Sequence, residues 1–329
     1  MSEPGASRNV LVWHVHGSWT EAFVAGRHRY LLPVTDARDA YGRGLCGRNW
    51  PTAHEIPSSQ LRVEDIDLVV LQRADEIELA TRWLGRRPGI DVPAVFVEHN
   101  APRPFAVDSV HPLAARDDIP LIHVTDFNEL MWDNGMAPTR VINHGIPDPG
   151  HLYTGEIAAA ATMINEPRRR WRTVGADLLD ELSRHVRIDV WGMASEAMSH
   201  GGRVCGKGDV QAPRLLHQVA RRRVYLHTAR WTSLGLSLIE AMFLGMPVVA
   251  VASTMAPLVV PQEAGVVSAD VATLAHALEG FVTDFPAACA AGKAARDFAM
   301  THFALDRFLA EWDDVIENTS GQHSKGGSR

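Results

Sequence analysis

Short apolar runs alternate along the chain with segments whose apolar positions recur at helical spacing. That alternation predicts βα units and parallel sheets. The first run, Val10–His14, ends in His16-Gly17-Ser18-Trp19. Further strands are predicted at Leu68–Leu71, Ala94–Val97, Leu121–Val124 and Arg140–Ile142. Helices are predicted between them at Asp75–Leu84, where Ile77, Leu79, Ala80, Trp83 and Leu84 form an apolar face, and at Phe127–Trp132. The segment His144-Gly145-Ile146-Pro147-Asp148-Pro149-Gly150 then interrupts the pattern with two prolines and two glycines, as a hinge does. A second series follows. Its strands are Thr162–Ile164, Ile188–Trp191, Val224–His227 and Val248–Val251, and its helices are Asp177–Arg184, Ala212–Arg222, Ser237–Leu244 and Val271–Val282. The expected domains are 1–148 and 149–318, with a Gly/Ser/Lys-rich tail at 319–329 that lacks the apolar residues to fold. No repeat of fixed period is present.

A length of 329 residues supports two cores, and 46% hydrophobic residues supply them. The net charge of −7 argues against nucleic acid as a partner. Cys46, Cys205 and Cys289 are widely spaced and odd in number, so no disulfide framework is expected and a reducing cytoplasm fits. The polar start, Met1 to Asn9, and the brevity of Val10–Val15 do not make a signal peptide. No run of ~18 apolar residues exists to span a membrane, which leaves only peripheral membrane contact open. Of the 32 basic residues only three are lysine, so single arginines carry little information here.

Ligands of open parallel sheets bind beyond the carboxyl ends of the strands, so the loops after strands matter most. One such loop contains Gly235 and opens a helix near Ser237. Free N–H groups and the dipole at a helix N-terminus favour a phosphate, and glycine allows close approach. Glu240, one turn in, has the carboxylate that a ribose diol needs as an acceptor. An ordinary capped helix with a surface glutamate fits the spacing equally well. His14-x-His16 places two imidazoles on one strand face, yet no third ligand follows, so no metal is expected. The run Arg221-Arg222-Arg223 reads as the basic last turn of an amphipathic helix.

The string Ile239 to Ala250 resembles the donor-site signature I-E-A-M-x-x-G-x-P-V-V-A of the retaining GT-B glycosyltransferases of family 4, the group 1 glycosyl transferases. The likeness extends to Gly265-Val266-Val267, Asp270, Ala294–Arg296 and Phe303, and His144-Gly145-Ile146 fits that family's hinge. It implies an α/β fold of two Rossmann-like parallel-sheet domains facing across a cleft. The implied reaction is sugar transfer from a nucleoside diphosphate sugar to a hydroxyl or amine of a small molecule, glycan or lipid, with retention and with neither cofactor nor metal. By the same resemblance Glu240 is the second glutamate of an E-x7-E motif and binds the donor ribose. Thr232 stands where the first belongs. Ser233, Leu234, Gly235 and Leu236 contact diphosphate and sugar. Arg169 takes the position of a diphosphate-binding arginine, and Arg172 substitutes for a lysine whose position holds Val174. His99, in Glu98-His99-Asn100, takes the place of a histidine beside the transferred sugar. His16, Gly17, Ser18 and Trp19 are expected at the acceptor. The alternatives are a non-catalytic relative that keeps nucleotide binding, a sugar-nucleotide epimerase, and a dehydrogenase. The last requires a G-x-G-x-x-G turn that the chain lacks after its first strand.

Overall fold

The structure, a computed structural model, describes residues 6–199 and 201–326, with side chains as far as 321. The chain forms two compact units, Met1–Ile146 together with Leu305–Arg329, and Pro147–Ala304.

Unit 1 holds a seven-stranded parallel sheet. Its strands are β1 (Asn9–Val12), β2 (Arg29–Val34), β3 (Ala53–Pro57), β4 (Leu68–Leu71), β5 (Ala94–Glu98), β6 (Leu121–His123) and β7 (Thr139–Val141), in the order β3-β2-β1-β4-β5-β6-β7. Side chains alternate across the sheet, so each central strand feeds two cores. Val10, Val12, Leu68, Val70, Val95 and Val97 face one. Leu11, Val69, Leu71, Ala94 and Phe96 face the other. Helix α1 (Gly17–Phe23) adds Trp19 and Phe23 to the first core, and α2 (Glu76–Leu84) adds Ala80 and Leu84 to the second. A short α3 (Asp126–Met131) follows β6, capped by the Thr125 hydroxyl.

Unit 2 holds six parallel strands: β8 (Ile157–Met163), β9 (Ile188–Trp191), β10 (Val204–Gly208), β11 (Arg222–His227), β12 (Val248–Val251) and β13 (Gly265–Ser268), ordered β10-β9-β8-β11-β12-β13. Its helices are α4 (Pro167–Arg170), α5 (Leu179–Leu182), α6 (Ala212–Ala220), α7 (Leu236–Leu244), α8 (Ala256–Val259), α9 (Val271–Thr283) and α10 (Phe285–His302). In both units the earliest strand lies inside the sheet, and the order reverses beside it, at β1/β4 and at β8/β11. Crevices for ligands open at such reversals.

Three expectations need correction. The segment 319–329 was expected to be unfolded, but helix α11 (Leu305–Gly326) runs through it as far as Gly326, and residues 327–329 lie outside the described residues. Nor does 305–318 belong with the second unit. Phe308, Trp312, Val315 and Ile316 recur at helical spacing and are buried in the first core of unit 1 beside Trp19 and Phe23. The basic triplet also differs from its expected helix. Helix α6 ends at Ala220, and Arg222 opens β11, where its guanidinium bonds the fully buried Asp189 at 2.6 and 2.9 Å.

Candidate functional site

In unit 2 the loops after β8 and β11 meet at the reversal point. Gly175, in the left-handed region at φ 69°, lies against the second loop, and a Cβ there would be 2.0 Å from the Thr228 carbonyl oxygen. Thr228 Oγ1 donates to the Val174 carbonyl at 2.7 Å, and the Arg230 and Trp231 amides both donate to the Thr173 carbonyl. The position expected for a lysine is thus occupied by Val174, 5% exposed and packed in the core. The charges nearby are arranged around Asp177. Arg230 grips it through two bonds of 2.6 and 3.0 Å, and Arg172 adds a third of 2.8 Å. Burial works against ionising Asp177, but the Arg230 bonds and charge outweigh it and hold the carboxyl below its ordinary range. Arg169 pairs with Glu166, which precedes α4 at φ 52°. The Arg169 and Arg172 side chains are 68% and 74% exposed, whereas Arg230 is 26% exposed.

Helix α7 begins at Gly235 with no side chain capping its first amides. Those N–H groups therefore have no side-chain acceptor. Gly235 has an ordinary φ of −71°, so backbone freedom is not what requires it. A Cβ there would lie 2.9 Å from His227 Cε1, so the loop backbone rests directly on that imidazole. Burial keeps the His227 ring neutral, lowering its pKa to about 4. Glu240, half-buried one turn along, receives no hydrogen bond or ion pair among the described residues, and burial pushes its carboxyl up. The Tyr225 hydroxyl lies beside Ser237 and Glu240. Thr232 Oγ1 is buried with no hydrogen-bond partner among the described residues. Ser233 and Leu234 are buried, while Leu236 and Ser237 are half-buried at the helix start.

In unit 1, β1 stops at Val12, before either histidine of the His14-x-His16 pair. His14 is buried with Nδ1 3.0 Å from the Gly44 carbonyl oxygen, while His16 is exposed at the start of α1. They do not share a strand face. The His16 ring instead meets His99 at a tilt of 42°, with centroids 4.2 Å apart, at the end of β5. His99 Nε2 is 3.0 Å from Gln72 Oε1, and the Trp19 ring meets His99 edge-on at 5.0 Å. Trp19 itself is 2% exposed, a core residue rather than a lining one. Gly17 and Ser18 form the first turn of α1. Burial, with His16 and His144 as lesser causes, depresses the pKa of His99 well below the usual imidazole range. His144 is lowered to about 4 for the same leading reason. Among the described residues no group of three or more His, Cys, Asp or Glu could hold a metal ion, and no helix is long and apolar enough to cross a membrane.

Four residues of these constellations escape sequence reasoning: Gln72, Asp177, His227 and Arg230. Gln72, His227 and Arg230 end or follow strands at the reversal points, and Asp177 lies in the loop region after β8, which only strand order brings to that place.

The family described as Glycosyl transferases group 1 matches residues 158–284, which run from β8 through α9. Among curated proteins none matches by sequence. Several solved structures share the fold. HepE from Anabaena, in complex with UDP and glucose, is 16% identical, with a TM-score of 0.71 over 94% of this chain and 100% of HepE. Sucrose-phosphate synthase from Thermosynechococcus elongatus is 16% identical, with a TM-score of 0.67 over 94% of this chain and 98% of its own. TarM from S. aureus, in a complex that includes UDP, is 15% identical, with a TM-score of 0.61 over 76% of this chain. The present chain spans only 55% of TarM. The chain has the GT-B fold, and its residues 158–284 carry the group 1 glycosyl transferase sequence.

Proposed function

We propose that the protein transfers a sugar from a nucleoside diphosphate sugar to a hydroxyl or amine, with retention at the anomeric carbon. The observation that carries this reading is Glu240. It is an unpaired, half-buried carboxylate one turn inside an uncapped helix, within the segment that matches the family. A carboxylate accepts hydrogen bonds from a ribose diol, and open amide groups at a helix start suit an anion. A nucleoside diphosphate supplies both.

In the reaction the bond from the anomeric carbon to the diphosphate oxygen breaks and one to the acceptor oxygen or nitrogen forms. The acceptor's proton leaves with the departing diphosphate. The α7 amides, Arg169 and Arg172 receive the charge that develops there. Both arginines are largely solvent-exposed, so exchanging a carboxylate for a phosphate costs little. Asp177 keeps Arg230 when Arg172 turns away. No metal is required on this reading. His99 of unit 1 offers a neutral imidazole to a sugar hydroxyl. In unit 2, Thr232 and Ser233 to Leu236 line the donor pocket; in unit 1, His16, Gly17 and Ser18 are assigned to the acceptor.

UDP sugars are the first donors to try, because HepE and TarM were solved with UDP. The test is calorimetric titration with UDP, GDP, ADP and dTDP, then nucleotide release from the matching sugars in EDTA. One nucleotide should bind and its sugars should turn over. If no nucleotide binds, the proposal fails. A second reading, a nucleotide-binding relative without turnover, is favoured by Thr232 and by the buried Val174. Binding without release, across a panel of acceptors, would select it.

A further inference from the structure

Gln72 directly follows β4, beside the point where the order of the unit 1 sheet reverses. Its backbone amide donates to Glu76 Oε2 at 2.6 Å, and the Arg73 amide donates to the same oxygen at 3.1 Å. Glu76 is fully buried at the start of α2, so this turn is clamped from inside the fold. The Gln72 side chain then spans two other strand ends. Nε2 donates to the Trp13 carbonyl after β1 at 2.7 Å, and Oε1 lies 3.0 Å from His99 Nε2 after β5.

This arrangement fixes every proton. A carbonyl oxygen only accepts, so the amide nitrogen of Gln72 must face Trp13 and its oxygen must face His99. An amide oxygen carries no proton, so His99 Nε2 must donate the one in that contact. The ring is neutral, since burial and two neighbouring imidazoles disfavour a charge. Its other nitrogen therefore has a lone pair.

We propose that Gln72 is a positioning residue that locks His99 in the Nε2–H tautomer, so that Nδ1 accepts a hydrogen bond from a substrate hydroxyl. The inference rests on the reading of His99 given above, and it adds a restriction: at this point the substrate must be a donor. A carboxylate, phosphate or bare carbonyl is not accepted there.

The test uses the full chain with 15N-labelled histidine. Long-range proton–nitrogen correlation reads the tautomer, and loss of the signals in His99→Gln assigns them. The wild type should show Nε2–H. Gln72→Leu removes the acceptor and should release the ring to a mixture that includes Nδ1–H. Gln72→Glu keeps an acceptor and should retain Nε2–H. With the donor whose nucleotide binds, Gln72→Leu should lower kcat about tenfold, the size of one hydrogen bond, and leave nucleotide affinity unchanged. Gln72→Glu should recover most of that loss. An Nδ1–H ring in the wild type would overturn the proposal, and so would an unchanged tautomer in a folded Gln72→Leu. If Gln72→Leu does not fold, the wild-type and Gln72→Glu spectra still decide. Absence of turnover with every donor would defeat the functional reading, while the spectra would still judge Gln72 separately.

Discussion

Units 1 and 2 share a strand plan but treat charge in opposite ways where their sheets reverse. In unit 1 the polar groups there are mutually satisfied, and the charge present, Glu76 paired with Arg73 at 2.7 Å, is committed within the fold. Gln72 ties Trp13 to His99, His14 bonds Gly44, and Glu76 is consumed in holding its own turn. In unit 2 the residues are charged and loosely held. Among the described residues Glu240 has no hydrogen-bond or ion-pair partner and α7 has no side-chain cap, while Arg172 shares Asp177 with a second arginine. Topology supplies the place, and the side chains supply the chemistry. Fixed dipoles suit recognition of hydroxyls. Weakly committed ions suit a ligand that arrives and leaves with its own charge.

The strongest test of this contrast exchanges the two centres. Glu240→Ala should weaken nucleotide binding roughly 10- to 100-fold, the loss expected for charge-assisted hydrogen bonds. His99→Ala should leave that affinity within about twofold while lowering turnover about tenfold or more. Equal losses of nucleotide affinity, read by calorimetry, would erase the distinction. Next in size is Arg172→Ala, expected to reduce nucleotide affinity about fivefold, with the deficit shrinking at high salt. Arg230→Ala should instead lower the melting temperature, because its bonds tie two loops together.

Acid stability sharpens the comparison from another side. Burial lowers both His144, in unit 1, and His227, in unit 2, to about 4 from 6.5. A depressed imidazole gives stability that is present above the unfolded pKa and lost as pH falls through the folded one. Denaturant unfolding should therefore show stability declining between pH 6.5 and about 4. His144→Asn and His227→Asn should each flatten part of that slope. The smallest effect concerns Glu240. Its raised pKa means that the unliganded protein loses stability as pH rises through the folded value. Glu240→Gln should melt a few degrees higher than the wild type at pH 8, with the gain fading toward pH 4. A lower melting point would mean that the carboxylate has a partner.

Much of this was legible in the residues because local pattern and final structure agree. Leu68–Leu71, Ile188–Trp191 and Val248–Val251 are short β-rich runs buried on both faces, and the structure shows strands of those bounds. Helix α7 follows from a glycine, an apolar stretch and the Gly245 stop, at φ 87°. The β8 run Ala158–Ala161 hid its strand, since alanine carries no strand preference and only burial between neighbours places it there. Strand β2 passes through Pro33 and β3 ends on Pro57, residues that disfavour strand interiors. Of the candidate site, motif and likeness point to Glu240 and His99. Gln72 and Arg230 act through partners 59 and 53 positions distant, a separation no local pattern encodes. Thr232 was visible as a departure, but its buried, partnerless hydroxyl was not.

Helix α11 also sets an order of events during synthesis. Unit 1 is made first, yet Phe308, Trp312, Val315 and Ile316 of its core emerge only after all of Pro147–Ala304 has been translated. At ribosomal speeds of ~5–20 residues per second the wait is roughly ten to thirty seconds. Throughout it Trp19 and Phe23 lack their covering helix, while the later-born unit has every strand it needs. The nascent N-terminal half is thus the part with most need of a chaperone, and a premature stop after Ala304 would leave the second unit whole and the first one open.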